Sequence, residues 1–335
     1  MEKSNIDKNN MLGLVDNFPQ MMERIAVNLD YNKFGLIEKV VICGMGGSAI
    51  AGNIIELGFI NNIKIPVFVN KDFDIPQYID GNTLAIIISY SGNTKESISM
   101  LALAKIKTSK IIIITSGGKL LEIAKADNLV HYVVPNALPP RAALPYLLTS
   151  VIQILQNLGI ISKDLINIVE SIDFLKKNLD FYRKVGAKIA GKIKKKVPII
   201  ITSSGICKAA GLRFKNQLNE NSKRIAILDN LPEMCHNFLE ALSAEKKPKT
   251  GYFVILLTDK DETTEQITTA RTIFGILKKK FDIIEISSKG NTILDRILSL
   301  IILTDYVSVF LALLNNIDPT SIEAIKSYKK EMEKL

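Results

Sequence analysis

Short apolar runs alternate with amphipathic stretches along most of the chain. Residues 40–43, 65–69, 84–89, 110–115 and 131–134 read as strands. Their apolar positions run on continuously instead of alternating, as expected for strands covered on both faces. Helical patterns lie between them, and residues 1–38 also read as helical with a polar start. Strands alternating with helices predict an α/β fold built on a doubly wound parallel sheet. Three prolines in 136–145 break the pattern, and a long helical region, 144–196, follows. The pattern then repeats: 197–211 echoes 39–52, 251–265 echoes 84–96, and 281–287 echoes 110–115. Two tandem copies of one domain are therefore expected, at 1–155 and 156–335. The longest apolar stretch, 297–314, contains Thr304, Asp305, Tyr306 and Ser308. It reads as a buried or interface helix, not as a membrane span.

The first strand runs directly into Gly44-Met45-Gly46-Gly47-Ser48, and 48–58 reads as a helix. A strand, a glycine loop and a helix start aim free backbone N–H groups and the positive end of a helix dipole at an anion. The anion expected here is a phosphate. A dinucleotide loop is the competing reading, with Ala49, a tolerated variant, at the third glycine position. The next candidate strand, 67–69, ends in Asn70-Lys71, without the acidic ribose ligand that such a fold carries there. The strand at 84–88 ends in a second loop, Ser89-Tyr90-Ser91-Gly92-Asn93-Thr94, again followed by a helical pattern. Hydroxyls and helix amides together bind a dianion without a fixed cation. Either loop alone is ordinary turn and N-cap chemistry. Two of them at the carboxyl ends of buried strands mark the edge where open α/β sheets bind ligands. Gly46, Gly47, Ser48, Ser89, Ser91 and Thr94 are thus the candidate phosphate-binding residues. The second copy has Thr258-Asp259-Lys260-Asp261-Glu262-Thr263 in place of the hydroxyl loop. Its carboxylates would repel a phosphate, so one phosphate site per chain is expected.

The net charge of +9 is spread over the chain, with dense lysine runs only at 192–196 and 278–280, each at the end of a helical pattern. Solvated helix ends explain these runs. A nucleic-acid face would interleave basic and aromatic residues, and the chain has no tryptophan. A basic surface still attracts phosphorylated small molecules. Three cysteines without metal spacing suit reduced thiols in a cytoplasmic protein. With only two histidines, His131 and His236, a zinc site is not expected. No cofactor, nucleic-acid partner, membrane partner or signal peptide is expected.

Gly44-Met45-Gly46-Gly47-Ser48 and the loop 89–94 resemble a sugar isomerase (SIS) domain. With Pro140-Arg141-Ala142-Ala143-Leu144-Pro145, Asn219-Glu220-Asn221, His236-Asn237 and a lysine in the C-terminal tail, the chain resembles the archaeal-type bifunctional phosphoglucose/phosphomannose isomerases from about residue 12 onward. The resemblance implies two flavodoxin-like SIS domains in tandem. It also implies a metal-independent aldose–ketose isomerase that converts glucose 6-phosphate and mannose 6-phosphate to fructose 6-phosphate through an enediolate. Glu220 would be the general base. His236 would open the sugar ring from the neighbouring subunit of a homodimer. Arg141 would steady the enediolate as a fixed charge. Lys329 would lie near the ring oxygen. His131, in a strand pattern, reads as structural. Two departures stand out: Cys235 replaces a histidine found in some members, and Ile322 a threonine, which bears on tolerance at sugar C2. The alternatives are another SIS isomerase, acting on a different phosphosugar, and a non-catalytic sugar-phosphate sensor. A sensor would need neither Glu220 nor His236.

Overall fold

A computed structural model describes residues 6–32, 34–246 and 248–332. The chain falls into two compact units. The first comprises Asn17–Lys177 and Gly290–Leu298. The second comprises the described residues through Asp16, Asn178–Lys289 and the described residues from Ser299 on.

Two short helices open the chain, α1 (Met11–Asp16) and α2 (Phe18–Glu23). The helical expectation for 1–38 holds only there, and residues 1–5 and 33 lie outside the described ones. The segment 24–38 has no regular helix. Part of it is held by side chains instead: the Val27 N–H donates to Gln153 Oε1 at 2.7 Å, and Gln153 Nε2 donates to the Ile25 carbonyl at 3.0 Å.

In chain order the first unit then has β1 (Lys39–Cys43), α3 (Gly46–Gly58), β2 (Val67–Asn70), β3 (Thr83–Ser89), α4 (Lys95–Lys107), β4 (Ile111–Thr115), α5 (Gly118–Ala126), β5 (Val130–Val133) and α6 (Leu144–Asn157). All five strands are parallel, in the order β2-β1-β3-β4-β5. This is the doubly wound flavodoxin-like order, in which the chain leaves β1 on one side and returns as β3 on the other. Alternate residues divide the two faces. Val41, Cys43, Ala85, Ile87, Ile111 and Ile113 pack under Met100, Leu101 and Ala104 of α4 and Leu120 and Ala124 of α5. Ile42 faces the other way, against α3 at Gly52. Burial pushes the Cys43 thiol up to about 12, so it acts as a small apolar side chain.

The expected long helix 144–196 is two helices, α6 and α7 (Ile168–Ile193), separated by a turn region. The second unit adds β6 (Val197–Thr202), α8 (Gly205–Asn221), β7 (Ile227–Asn230), α9 (Phe238–Ala244), α10 (Pro248–Gly251), β8 (Tyr252–Thr258), α11 (Thr264–Lys278), β9 (Asp282–Ser287), α12 (Ile293–Leu314) and α13 (Glu323–Met332). Its sheet is parallel in the order β7-β6-β8-β9, the first sheet's order without a fifth strand. The sequence repeat is therefore a structural one. β7 escapes a reading by apolar runs because Asp229 and Asn230 fill half of it.

The apolar stretch near the C-terminus is α12. It is long and apolar enough to cross a membrane by length and composition, yet its residues are buried within the protein. Its central acidic side chain is satisfied internally. Asp305 receives Arg213 Nε at 3.0 Å and Nη2 at 2.7 Å, and Gln217 Nε2 at 3.2 Å, all from α8. Burial pushes the Asp305 carboxyl up, and Arg213 and Gln217 pull it back. Removing one partner from such a buried pair strands the other charge away from water. Asp305→Ala should therefore destabilise the protein by about 3–5 kcal/mol, read as a lowered urea midpoint; a midpoint within error of the wild type would refute this.

Candidate active site

Both loops singled out in the sequence lie at the carboxyl ends of β1 and β3, adjacent strands at the point where the winding of the sheet reverses. They are bonded to each other. The Tyr90 N–H donates to Ser48 Oγ at 3.0 Å, and both residues are buried. Ser48 is thus a strut between the loops as well as a hydroxyl of the first. In the second loop Ser89 Oγ lies 2.9 Å from Thr94 Oγ1 and accepts the Gly92 N–H at 3.2 Å. Ser91 is exposed, and its Oγ accepts the Asn93 N–H at 3.4 Å.

Two glycines are required by space. A Cβ on Gly47 would lie 2.9 Å from the Arg141 Cα and N and the Pro140 carbonyl oxygen. The glycine loop therefore rests on the backbone of the arginine turn. Gly92 has φ +70°, and a Cβ there would lie 1.7 Å from the Gly117 carbonyl oxygen. The loop 89–94 is also buttressed from the side. The Lys119 N–H donates to Asn93 Oδ1 at 3.0 Å, and the Leu120 N–H to the Gly92 carbonyl at 2.9 Å.

The helices that these loops open are left uncapped. Neither Met45, before α3, nor Thr94, before α4, makes a side-chain cap bond. First-turn amides have no partner inside a helix, so both termini present donors and positive potential at the same edge.

Arg141 sits in a 3-10 turn, Pro140–Ala143, just before α6, and is only 2% exposed. It is not a surface arginine. One residue that the sequence reading passed over holds this neighbourhood together. Tyr90 is buried; its hydroxyl donates to the Pro135 carbonyl at 2.9 Å and accepts the Leu138 N–H at 3.1 Å. Its own carbonyl accepts the Ser116 N–H at 3.0 Å. Tyr90 thus ties the hydroxyl loop to the segment that leads to Arg141. The only signal in sequence was an aromatic between two serines.

The other candidates lie on three separate elements of the second unit. Glu220 is in the last turn of α8 and half-buried. His236 ends a 3-10 turn, Glu233–His236, anchored by the buried Met234, and is exposed. Asn237 follows it and caps α9, its Oδ1 accepting the Phe238 N–H. Lys329 is exposed on α13, a helix with no buried residue. His131 lies in β5 with Nδ1 2.8 Å from the Leu129 carbonyl, in keeping with its structural reading.

The copied loops of the second unit are built differently. Thr263 caps α11 in a complete capping box: its Oγ1 accepts the Gln266 N–H at 3.3 Å, and Gln266 Oε1 accepts the Thr263 N–H at 2.9 Å. Glu262 Oε1 accepts the Asp259 N–H at 2.8 Å and also the Ser203 hydroxyl, from the loop after β6. A carboxylate here spans the same two loops that Ser48 and Tyr90 span in the first unit. Burial is the main cause that pushes the Glu262 carboxyl above the usual range.

Comparison with known proteins gives this architecture its family. Residues 37–137 match the SIS domain family, and residues 183–332 match the bacterial phospho-glucose isomerase C-terminal SIS domain. The bifunctional phosphoglucose/phosphomannose isomerase of Caldicellulosiruptor bescii is 35% identical over 340 residues, covering 97% of this chain and 99% of that protein. The chain belongs to the bifunctional phosphoglucose/phosphomannose isomerase family. A related D-glucosamine-6-phosphate 4-epimerase of Sulfolobus acidocaldarius is 31% identical, over 74% of this chain and 78% of its own length. Among solved structures, tagatose-6-phosphate ketose/aldose isomerase from Escherichia coli superposes with a TM-score of 0.70 at 15% identity, covering 93% of this chain and 95% of that one. That likeness concerns the fold, and the fold is the one the sequence pattern predicted for this family.

Gly92→Ala should cost about 1–3 kcal/mol through its left-handed backbone alone, with the Gly117 contact adding to it. Equilibrium urea unfolding measures this; an unchanged midpoint would mean that the loop is not held as described.

Proposed function

We propose that the chain interconverts glucose 6-phosphate, and also mannose 6-phosphate, with fructose 6-phosphate, without a metal ion. The observation that carries the reading is the pair of uncapped helix starts, joined by Ser48 and Tyr90, in a chain alignable end to end with a relative named for this activity. The phosphate would take the amides of Gly46 and Gly47 and the hydroxyl loop 89–94, with Ser48, Ser89, Ser91 and Thr94 shaping that cradle.

The chemistry needs four acts. The pyranose opens as a proton leaves the anomeric hydroxyl and another reaches the ring oxygen. His236 is the residue assigned to this, contributed by the neighbouring copy in a homodimer, and Lys329 serves at the ring oxygen. A base then takes the C2 proton and returns it to C1, while the O2 proton passes to O1 so that the carbonyl moves from C1 to C2. Glu220 fills that role, a carboxylate general base contributing about 10²–10⁴-fold. The enediolate formed between these steps carries negative charge, which the permanent cation of Arg141 offsets. The exposure of His236 and Lys329 within one chain supports roles that need a neighbouring copy or a moving ligand. The burial of Arg141 supports a fixed electrostatic role. The Sulfolobus relative supplies a second reading, epimerisation at C4 of an amino sugar phosphate, on a related chain.

A coupled assay of fructose 6-phosphate formation with chelator present tests the first reading, run separately on glucose 6-phosphate and mannose 6-phosphate. Turnover of both is expected, with Glu220→Gln lowering kcat by about 10²–10⁴-fold while phosphosugar binding persists. Full activity of that variant would remove Glu220 as the base. Inactivity on both sugars, with epimerisation of glucosamine 6-phosphate, would establish the second reading. Calorimetric titration with inorganic phosphate should find one site per chain. A second site of similar strength would show that Glu262 does not close the copied loops.

A further inference from the structure

The last turn of a helix ordinarily frays, because its carbonyls have no partner within the helix. The last turn of α8, which carries Glu220, is instead tied down by three side chains. Asn221 is fully buried, and its Nδ2 donates to Ser308 Oγ of α12 at 2.9 Å. Ser308, also buried, donates in turn to the Asp305 carbonyl at 2.7 Å. Asn219 Nδ2 donates to the Arg224 carbonyl at 2.8 Å, and Lys223 Nζ donates to the Glu220 carbonyl. Arg213, Gln217 and Asn221 are spaced four apart and so form one stripe along α8. All three bond to a single short stretch of α12, at Asp305 and Ser308. Arg213 and Gln217 fix the helix axis. Asn221 fixes the rotation of the turn beyond them.

We propose that Asn221, held by Ser308, is a positioning residue that sets where the Glu220 carboxylate points. The proposal rests on Glu220 being the base. Adjacent helical residues share one turn, so Glu220 rotates with Asn221. Catalytic groups must be held to within about 10–20°. A slip of that size swings a carboxylate at the end of a glutamate by roughly an ångström, and such a misplacement can cost about 10²-fold. An amide and a hydroxyl buried against each other would be replaceable by apolar side chains if packing were their only task. Their position, one residue from the candidate base, gives the pair a geometric task as well.

The test compares Ser308→Ala, Asn221→Ala and Ser308→Thr in the full-length protein. Each is made alone and on a Glu220→Gln background, with unfolding followed in parallel. Ser308→Ala removes the tether with little change in volume, so it keeps the test valid if Asn221→Ala does not fold. Both alanine variants should lower kcat at least tenfold with KM unchanged, and Ser308→Thr, which keeps the hydroxyl, should restore it. On the Glu220→Gln background the same changes should cost nothing further. Wild-type kcat in folded Ser308→Ala, or an equal loss on both backgrounds, would overturn the positioning role while leaving Glu220 as the base. Wild-type turnover by Glu220→Gln itself would instead overturn the reading on which the proposal stands.

Discussion

Helix starts without a side-chain cap, at α3 and α4, are the constraint to which the first unit is built. A helix start buried at a sheet edge needs acceptors for its N–H groups, from a cap, water or a ligand. Here neither loop supplies a side-chain cap, although serines and threonines abound. Those hydroxyls are committed elsewhere. Ser48 accepts from Tyr90, and Ser89 pairs with Thr94 and Gly92. The loops are braced because their side chains bond to each other and to loop backbone instead of capping the helices. The parallel winding of the sheet then sets both starts at adjacent strand ends, where their fields add.

The second unit shows what happens when the same backbone must satisfy itself. Its α11 has a reciprocal capping box, and Glu262 takes the amide of Asp259 and the hydroxyl of Ser203. A carboxylate is an anion supplied by the chain. On the proposed reading the duplicated loops meet one electrostatic demand in two ways: an external dianion in one copy, the Glu262 carboxylate in the other. Burial raises the Glu262 carboxyl, so confining charge there carries a desolvation cost.

The fold was legible because buried parallel strands announce themselves as apolar runs, and β1, β3, β4 and β6 are such runs. The reading faltered where side chains replace backbone pairing. In the segment 24–38 Gln153 takes the backbone groups of Ile25 and Val27, and no local pattern encodes a partner more than a hundred residues away. β7 was missed because Asp229 and Asn230 look like a turn. Among site residues, the glycine and hydroxyl loops were legible from composition at strand ends. The burial of Arg141 was not, since its partners come from the tertiary fold and the contact with Gly47 is made by backbone. Tyr90 was invisible for the same reason: its role lies in three backbone groups far along the chain.

Arg141 and Glu220 pose opposite physical problems, and the two units solve them in different ways. A guanidinium keeps its charge wherever it is put, so burying Arg141 in a proline-flanked turn yields a strong, immobile field at low risk of neutralisation. Glu220, as the proposed base, would have to exchange protons with substrate and so remain reachable, and a reachable group at a helix end is a mobile one. The stripe Arg213, Gln217 and Asn221 resolves that conflict by fixing the helix beneath the side chain and leaving the side chain itself half-exposed. Rigidity is placed in the buried α12, whose polar residues read in sequence as interruptions of an apolar helix. Asp305 meets Arg213 and Gln217, and Ser308, one turn on, meets Asn221, so this short stretch of α12 reaches the turn that carries Glu220.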